Sequence, residues 1–433
     1  MRGRLRYGGF NVRFFLPWML ILGFGLLMLY SVTSPPGDFG LDDDGGAYTI
    51  SRVFFQRQLM WVLMGLAAVF VGAVIPYWIY KDYFAWFLYG AGVLLLVVLL
   101  VLPPMRGDTH RWLLLGPLGV QPSEPFKVIL IIMLASVLAA RRGDPNGMRQ
   151  VLITGLVVLP PTLLVLRQPD LGTAITLLWL MFPMMIWRGL SLRRLLIMMA
   201  PVISGFIVLY GTITSGGEAP GPGHILWAVF MIALFFVSLL YPVMSVLERV
   251  GFYLASVGVG LAVPRIWAGL LPYQQKRILV FFDPGLDPLG AGYQIFQSKV
   301  AIGSGGIFGR GFLEGTQKGL AFLPARHTDF IFSVVGEEFG FIGAMVVLGL
   351  YTWLVVEGFK LAGKARHPFG QLLAVGTSSL LLFHVFVNVG MTIGLMPVTG
   401  LPLPGMSFGG SVLVATSFLI GLQMNISRNW GRY

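Results

Sequence analysis

The chain is a succession of apolar runs near 20 residues long, and no other feature narrows its fold as far. About 20 residues at a 1.5 Å rise carry a helix across the roughly 30 Å hydrocarbon layer of a membrane. Twelve spans are expected, over 13–33, 57–76, 83–103, 125–140, 150–167, 171–188, 194–213, 224–242, 249–267, 330–355, 371–393 and 409–426. Pro160-Pro161 should kink the fifth. With 56% hydrophobic and 11% charged residues, and a mean hydropathy of +0.81, the chain has too little polar surface for a soluble globule. The fold class is therefore all-α, a single polytopic membrane domain over 1–433. The absence of cysteine excludes disulfides, thiolate metal sites and cysteine nucleophiles. The opening MRGRLRYGGFNVRFF runs straight into the first span and reads as a cytoplasmic tail, with no cleavable signal evident.

Charge sets the orientation. With the amino terminus inside, 17 of the 30 Lys and Arg but only 4 of the 18 Asp and Glu fall on the cytoplasmic side. Both termini are thus cytoplasmic. The net charge of +12 is read as positive-inside loops beside anionic lipid, and nucleic acid is not expected as a partner. The bases left outside run against that bias. They sit at Arg52 and Arg57, from Arg106 to Lys127, and in the long outer loop 268–329. A polyanionic ligand is the simplest reason to keep them there as a set.

That loop is the longest stretch that cannot be a span, and it concentrates charge, including Lys276, Arg277, Asp283, Asp287, His327 and Asp329. Asp283 and Asp287 each precede a proline, which biases them toward an extended, presented conformation. In THRWLLLGPLGVQPSEPFK (109–127) no helical period appears. The segment is expected to dip into the interface and bring Arg111, Gln121, Glu124 and Lys127 to the rim of a cavity. Glu124 and Lys127, three apart on one helical face, can equally pair with each other. Arg57 opens the second span at interface depth, where it could simply snorkel. Asp170, in a tight turn, is explained by capping the next helix. Glu337 and Glu338 lie inside apolar sequence, which is costly unless they are paired or line a wet cavity. GSGGIFGRG (303–311) lacks the lysine and hydroxyl of a nucleotide loop and suits helix breaks and close lipid approach. Residues 390–413 read as a Pro/Gly-rich outer loop that re-enters the membrane, where unpaired backbone must be buried in protein or line a cavity. His384 and Asn388, on one face of a span, read first as interhelical hydrogen-bonding groups.

FFQRQLMW (54–61), RWLLLGPLGVQPSEPFK (111–127), QPDLGTA (168–174), YQQKRILVFFDPGLDPLGAGYQIFQSKVAIGSGG (273–306), FLPARHTDFIFSVVGEEFGFIG (322–343) and GMTIGLMPVTGLPLPGMSFGGS (390–411) together resemble the SEDS family of shape, elongation, division and sporulation proteins. DPLGAGY and MPVTGLPLP lean toward its elongation branch. Two departures stand out. The family usually has ten spans, so two of those within 194–267 would be an added pair. In addition, Gly405-Met406-Ser407-Phe408 replaces a more usual PFISY-like run.

The resemblance implies an inverting peptidoglycan glycosyltransferase. It would polymerise lipid II onto a growing glycan strand at the extracytoplasmic face of the bacterial cytoplasmic membrane, with loop 268–329 as its catalytic loop. The family's essential aspartate falls on Asp287, the expected general base. Asp283 sits where the division branch often has Asn. Substrate contacts are expected from Arg57, Arg111, Gln121, Glu124, Lys127, Lys276, Arg277, His327, Asp329 and Ser407, with Glu124 orienting Lys127. A divalent cation, Mg or Mn, would suit the pyrophosphate, with outer carboxylates or His327 near by, but the sequence marks no metal site. A class B penicillin-binding protein is the implied partner, alongside membrane lipids. Two other classes compete: a lipid II flippase, and a noncatalytic scaffold for a transpeptidase. A flippase needs ionisable groups at several depths, whereas here they crowd the outer face.

Overall fold

The computed structural model describes residues 11–33, 46–103, 111–115, 118–140, 147–215, 222–240, 245–270, 275–276, 278–280, 291–315 and 327–429. Its helices are α1 (Val12–Thr33), α2 (Gly46–Val74), α3 (Tyr83–Val101), α4 (Ser123–Ala140), α5 (Met148–Arg167), α6 (Leu171–Arg188), α7 (Leu192–Met198), α8 (Ala200–Thr214), α9 (Pro222–Leu240), α10 (Val246–Gly269), α11 (Ala291–Gly305), α12 (Ile331–Lys364), α13 (Pro368–Thr392) and α14 (Gly410–Asn429). Among the described residues, 11 helices are long and apolar enough to cross a membrane, and α7 with α8, meeting at 44°, add one more span. The twelve expected spans are all present. The helix of the second begins at Gly46, well before residue 57.

The chain divides into two compact units. One comprises Met1–Arg142, Leu152–Trp187 and Tyr293–Tyr433; the other comprises Gly143–Val151 and Arg188–Gly292.

In the first unit α4 and α13 are enclosed on nearly all sides and are predominantly apolar, with their polar side chains buried as well. Helices α2 and α14 approach closely because small residues face each other. A Cβ on Gly421 would stand 2.1 Å from the Val69 carbonyl. Farther along α14 Asn11 Nδ2 donates to Ser427 Oγ at 2.5 Å, tying the start of α1 to the end of α14. Helix α5 continues through Pro160 and Pro161. Pro161 has no N–H to give the Val157 carbonyl four residues back. Tyr89 Oη of α3 donates to that carbonyl at 2.7 Å instead.

Two local features depart from the expected picture. Residues 113–120 hold a short antiparallel hairpin, β1 (Leu113–Leu115) on β2 (Leu118–Val120), with Leu113 opposite Val120. It delivers the chain to the start of α4. The second departure is in α12. At 34 residues it would measure about 51 Å, longer than the hydrocarbon layer. The expected continuous span over 330–355 is in fact broken at Gly340, whose φ of 64° and ψ of −159° are not helical. The break is mended by the glycine-rich segment after α11. Arg310 and Gly311 donate their backbone N–H to the carbonyls of Glu337 and Glu338 at 3.0 and 3.1 Å. Phe341 and Ile342 in turn donate to the carbonyls of Gly306 and Ile307 at 2.9 and 3.2 Å. Backbones this close leave no room for side chains, so a Cβ on Gly309 would lie 2.1 Å from the Glu338 carbonyl. The helix break that the glycine cluster suggests is thus made in its partner helix. Residues 331–338 are buried, and the stretch after Gly340 is long enough to span alone.

In the second unit α8, α9 and α10 pack around Ala200, Met231 and Leu234, with Trp227, Phe230, Tyr253 and Val257 against them. Ser204 Oγ donates to the Ser256 carbonyl at 2.7 Å and accepts from Trp227 Nε1 at 2.7 Å. Ser245 and Glu248 form a reciprocal cap at the start of α10. Glu248 also receives Arg194 at 2.7 Å, and that arginine is buried.

Candidate functional site

The polar centre of the first unit is built on the first turn of α4. Glu124 N bonds the Gln121 carbonyl at 3.0 Å as the chain turns from the hairpin into the helix. Pro122 and Pro125 cost nothing here, because amides of a first turn have no helical acceptor. One helical turn then aligns Glu124 with Lys127, and Lys127 Nζ donates to Glu124 Oε1 at 2.7 Å. Both are buried, at 3% and 1% exposure.

Lys127 Nζ also lies 3.2 Å from His384 Nε2 of α13. An ammonium can only donate, so Nε2 must accept. On its other side His384 Nδ1 meets the Pro402 carbonyl at 3.1 Å, which can only accept, so Nδ1 carries the hydrogen. The two bonds fix one neutral tautomer. The third ammonium hydrogen of Lys127 has no acceptor among the described residues. The Thr173 side chain is buried beside Glu124. Thr173 N donates to Asp170 Oδ1 at 3.1 Å, so Asp170 caps α6 as expected. Gln121 Nε2 donates to Asp170 Oδ2 at 2.6 Å, and Gln121 N to Ser411 Oγ at 2.9 Å. A continuous polar chain thereby joins α4, α6, α13 and α14.

The segment 393–409 lies over this chain, and its backbone is satisfied by side chains. Asn388 Nδ2 donates both to the Leu401 carbonyl at 2.8 Å and to the Asp329 carbonyl at 2.9 Å. Tyr351 Oη donates to the Pro404 carbonyl at 2.6 Å. Ser407 Oγ accepts from Leu403 N at 2.9 Å. Gln58 Nε2 reaches the Ser407 carbonyl at 3.4 Å. Buried backbone at membrane depth is tolerated on these terms.

Several expected site residues take other places. Glu124 and Lys127 are sealed under 393–409, where a cavity rim was expected, because their neighbours are His384 and Thr173 and not solvent. Ser407 is likewise buried and serves the turn at 403–407. Gln121 and Arg111 are half-buried, and buried Arg111 Nε has no hydrogen-bond partner among the described residues. Arg57 is exposed on α2. His327 is half-buried, its ring 5.3 Å from that of Phe54 and 6.1 Å from that of Phe408. Its carbonyl accepts from Phe408 N at 2.8 Å. Half-buried Asp329 has its carboxylate near Gly400, where an added Cβ would stand 3.7 Å from Oδ2. Lys276 is exposed and belongs to the second unit. Asp283, Asp287 and Arg277 lie outside the described residues. Among the described residues no group of three or more His, Asp or Glu could hold a metal ion.

His384 is the residue that sequence reasoning undervalued. Its signal was its place, four residues from Asn388 on one face of an otherwise apolar helix. In the structure His384 is the interhelical hydrogen-bonding group, reaching Lys127 of α4, and Asn388 holds the carbonyls of Asp329 and Leu401 outside the helices.

Known proteins share this arrangement from end to end. The profile of the cell cycle protein family of FtsW, RodA and SpoVE matches residues 12–216 and 224–431. The chain belongs to that family. It is 36% identical to the peptidoglycan glycosyltransferase MrdB of Escherichia coli K12, with 86% of this chain and 85% of that protein covered. The peptidoglycan glycosyltransferase RodA of Treponema pallidum is 32% identical, with 96% and 97% covered. Among solved structures, a chain of a peptidoglycan synthase complex that coordinates polymerization and crosslinking superposes with a TM-score of 0.68. It is 30% identical, with 98% and 99% of the two chains covered. This FtsW/RodA/SpoVE member is thus an all-helical, multi-pass membrane protein.

Proposed function

We propose that this chain is a peptidoglycan glycosyltransferase that polymerises lipid II during cell elongation. It would act at the extracytoplasmic face of the bacterial cytoplasmic membrane, beside a class B penicillin-binding protein. The observation that carries the reading is the buried Glu124–Lys127–His384 chain under segment 393–409, at the end of the bundle where the charge pattern puts the outside.

In the transfer, Asp287 takes the proton of the 4-hydroxyl of an N-acetylglucosamine as that oxygen attacks the anomeric carbon of the donor. The anomeric C–O bond breaks, and its electron pair leaves with the lipid pyrophosphate. A single displacement inverts the anomeric centre. The departing pyrophosphate gains charge, and cations placed before the reaction stabilise it without reorganising. Arg57, exposed, and half-buried Arg111 are the contacts, with Lys276 and Arg277 of the catalytic loop. Lys127 lies beneath them, its charge paired with Glu124 and its remaining donor capacity directed by His384. Glu124 and His384 are positioning residues that hold it.

The test is glycan-chain formation from purified lipid II by this protein with its cognate transpeptidase, wild type against Asp287→Asn. Polymer from the wild type and none from a variant with an unchanged melting profile is the expected result. Equal polymer from both would remove Asp287 as the base. No polymer from either, with lipid II crossing liposomes, would replace the polymerase by a flippase.

A further inference from the structure

The second unit contains a feature that the polymerase reading does not use. Pro201, in the first turn of α8, removes a backbone donor, and α7 turns 44° away from α8 at Met199. The turn opens a wedge between α7 and α9. It holds an apolar groove of about 240 Å³ with Leu196, Ala200, Phe230, Ala233 and Val237 in its walls and Arg193 among its lining. Two alanines keep it open, since Ala200 and Ala233 stand where larger side chains would fill it.

Arg194 points inward and is neutralised by Glu248 at 2.7 Å. Arg193 is exposed and lines the groove. Around them Leu192, Leu196, Phe206, Phe236 and Leu240 are 58 to 78% exposed, a surface suited to lipid. Residues 188–194 lie on the side of the membrane that collects most of the Lys and Arg.

We propose that this wedge binds one anionic phospholipid of that leaflet, with an acyl chain in the groove and the headgroup phosphate on Arg193. Apolar walls at membrane depth call for a hydrocarbon chain. A cation lining the groove selects the headgroup by charge, as basic pockets between spanning helices do on the cytoplasmic side. A neutral lipid would fit the walls equally and lose the phosphate–guanidinium pairing that an anionic headgroup retains undiluted by a neighbouring ammonium.

The test uses the full chain in nanodiscs of phosphatidylcholine with a minor fraction of phosphatidylglycerol, with native mass spectrometry counting retained lipids. The expected result is one phosphatidylglycerol retained in preference to phosphatidylcholine. Arg193→Ala should reduce that preference about fivefold, whereas Arg428→Ala, an exposed arginine outside the groove, should leave it. Ala233→Phe fills the groove and should lower retention of both lipids at unchanged helix content and melting temperature. Equal retention of the two lipids by the wild type, or the same loss from Arg193→Ala and Arg428→Ala, would overturn the proposal. So would a dimer that forms in place of lipid retention and disappears with Ala233→Phe.

Discussion

Lys127 and His384 meet at 3.2 Å across 257 residues of sequence, and the contact joins two of the most enclosed helices of the protein. Because His384 Nε2 can only accept there, the pair is a directed bond. His384→Ala should therefore lower the turnover of lipid II polymerisation roughly ten- to hundredfold with little change in KM, since it misplaces a charge and removes no substrate contact. His384→Gln should recover much of the loss, because an amide can accept from Lys127 and donate to Pro402. Steady-state kinetics on the three proteins check both statements.

Breaking the ion pair from one side should cost stability. Lys127→Met leaves Glu124 buried without its cation, an expected loss of about 3–5 kcal/mol. Adding Glu124→Gln should restore a large part of it. Thermal unfolding in detergent of the single and double variants gives the coupling energy directly.

The Tyr89–Val157 bond should depend on Pro161. Tyr89→Phe strands a carbonyl that no backbone N–H can reach, at a cost of about 1–3 kcal/mol. In a Pro161→Ala background the restored amide can bond Val157 itself, so Tyr89→Phe should then cost much less. The same unfolding measurement on the four proteins decides it.

Glycines of one segment should differ sharply. Gly309 has a φ of +83°, and its Cβ would meet the Glu338 carbonyl at 2.1 Å. Gly309→Ala should cost about 3 kcal/mol or more, from strain and from loss of the backbone exchange. Gly303, a few residues earlier in α11, has nothing within 4 Å of an added Cβ. Gly303→Ala should be neutral or stabilising by up to about 1 kcal/mol. Expression level and melting temperature separate the two.

One cap should titrate. His367 Nδ1 accepts from Phe369 N at 3.2 Å at the start of α13. Burial lowers its pKa, and the charge of Lys81 lowers it further, against a smaller raising effect from Asp82. The folded protein thus binds this proton less readily than the unfolded chain, whose value is about 6.5. The contribution is complete above about pH 6.5 and is lost as pH falls through the depressed folded value. His367→Asn keeps an N-cap acceptor and cannot titrate there. Its melting temperature should lack this part of the acid-side decline, seen by comparing the two proteins from neutral to mildly acidic pH.

The span pattern was legible because apolar length is a one-dimensional quantity, and each span lies within a few residues of its helix, apart from the early start of α2 and the late end of α12 at Lys364. The capping role of Asp170 and the Glu124–Lys127 pair were legible for the same reason, since each is set by neighbours along the chain. What the sequence hid depends on distant partners. Gly340 sits where the sequence reads as one continuous span, and only the backbone of 306–311 crossing it makes the break affordable. His384 and Asn388 look equivalent on their helix, and only the carbonyls of Pro402 and Leu401 tell them apart. The hairpin of 113–120 is too short for alternation to register.

The exchange at Gly340 also has a mechanical meaning. A loop resting on a helix through side chains can creep along it by small rotamer adjustments. The segment after α11 is instead spliced into the helix's own ladder, two bonds in each direction. It has no half-shifted position, since sliding by one residue undoes every bond of the splice together. Any pull on the outer loop that reaches α11 therefore passes undamped into the 24 residues from Phe341 to Lys364. These end beside Arg13 and Glu357 at the far side of the bundle. The joint behaves as a keyed shaft, able to turn as a whole or to disengage, and with nothing in between.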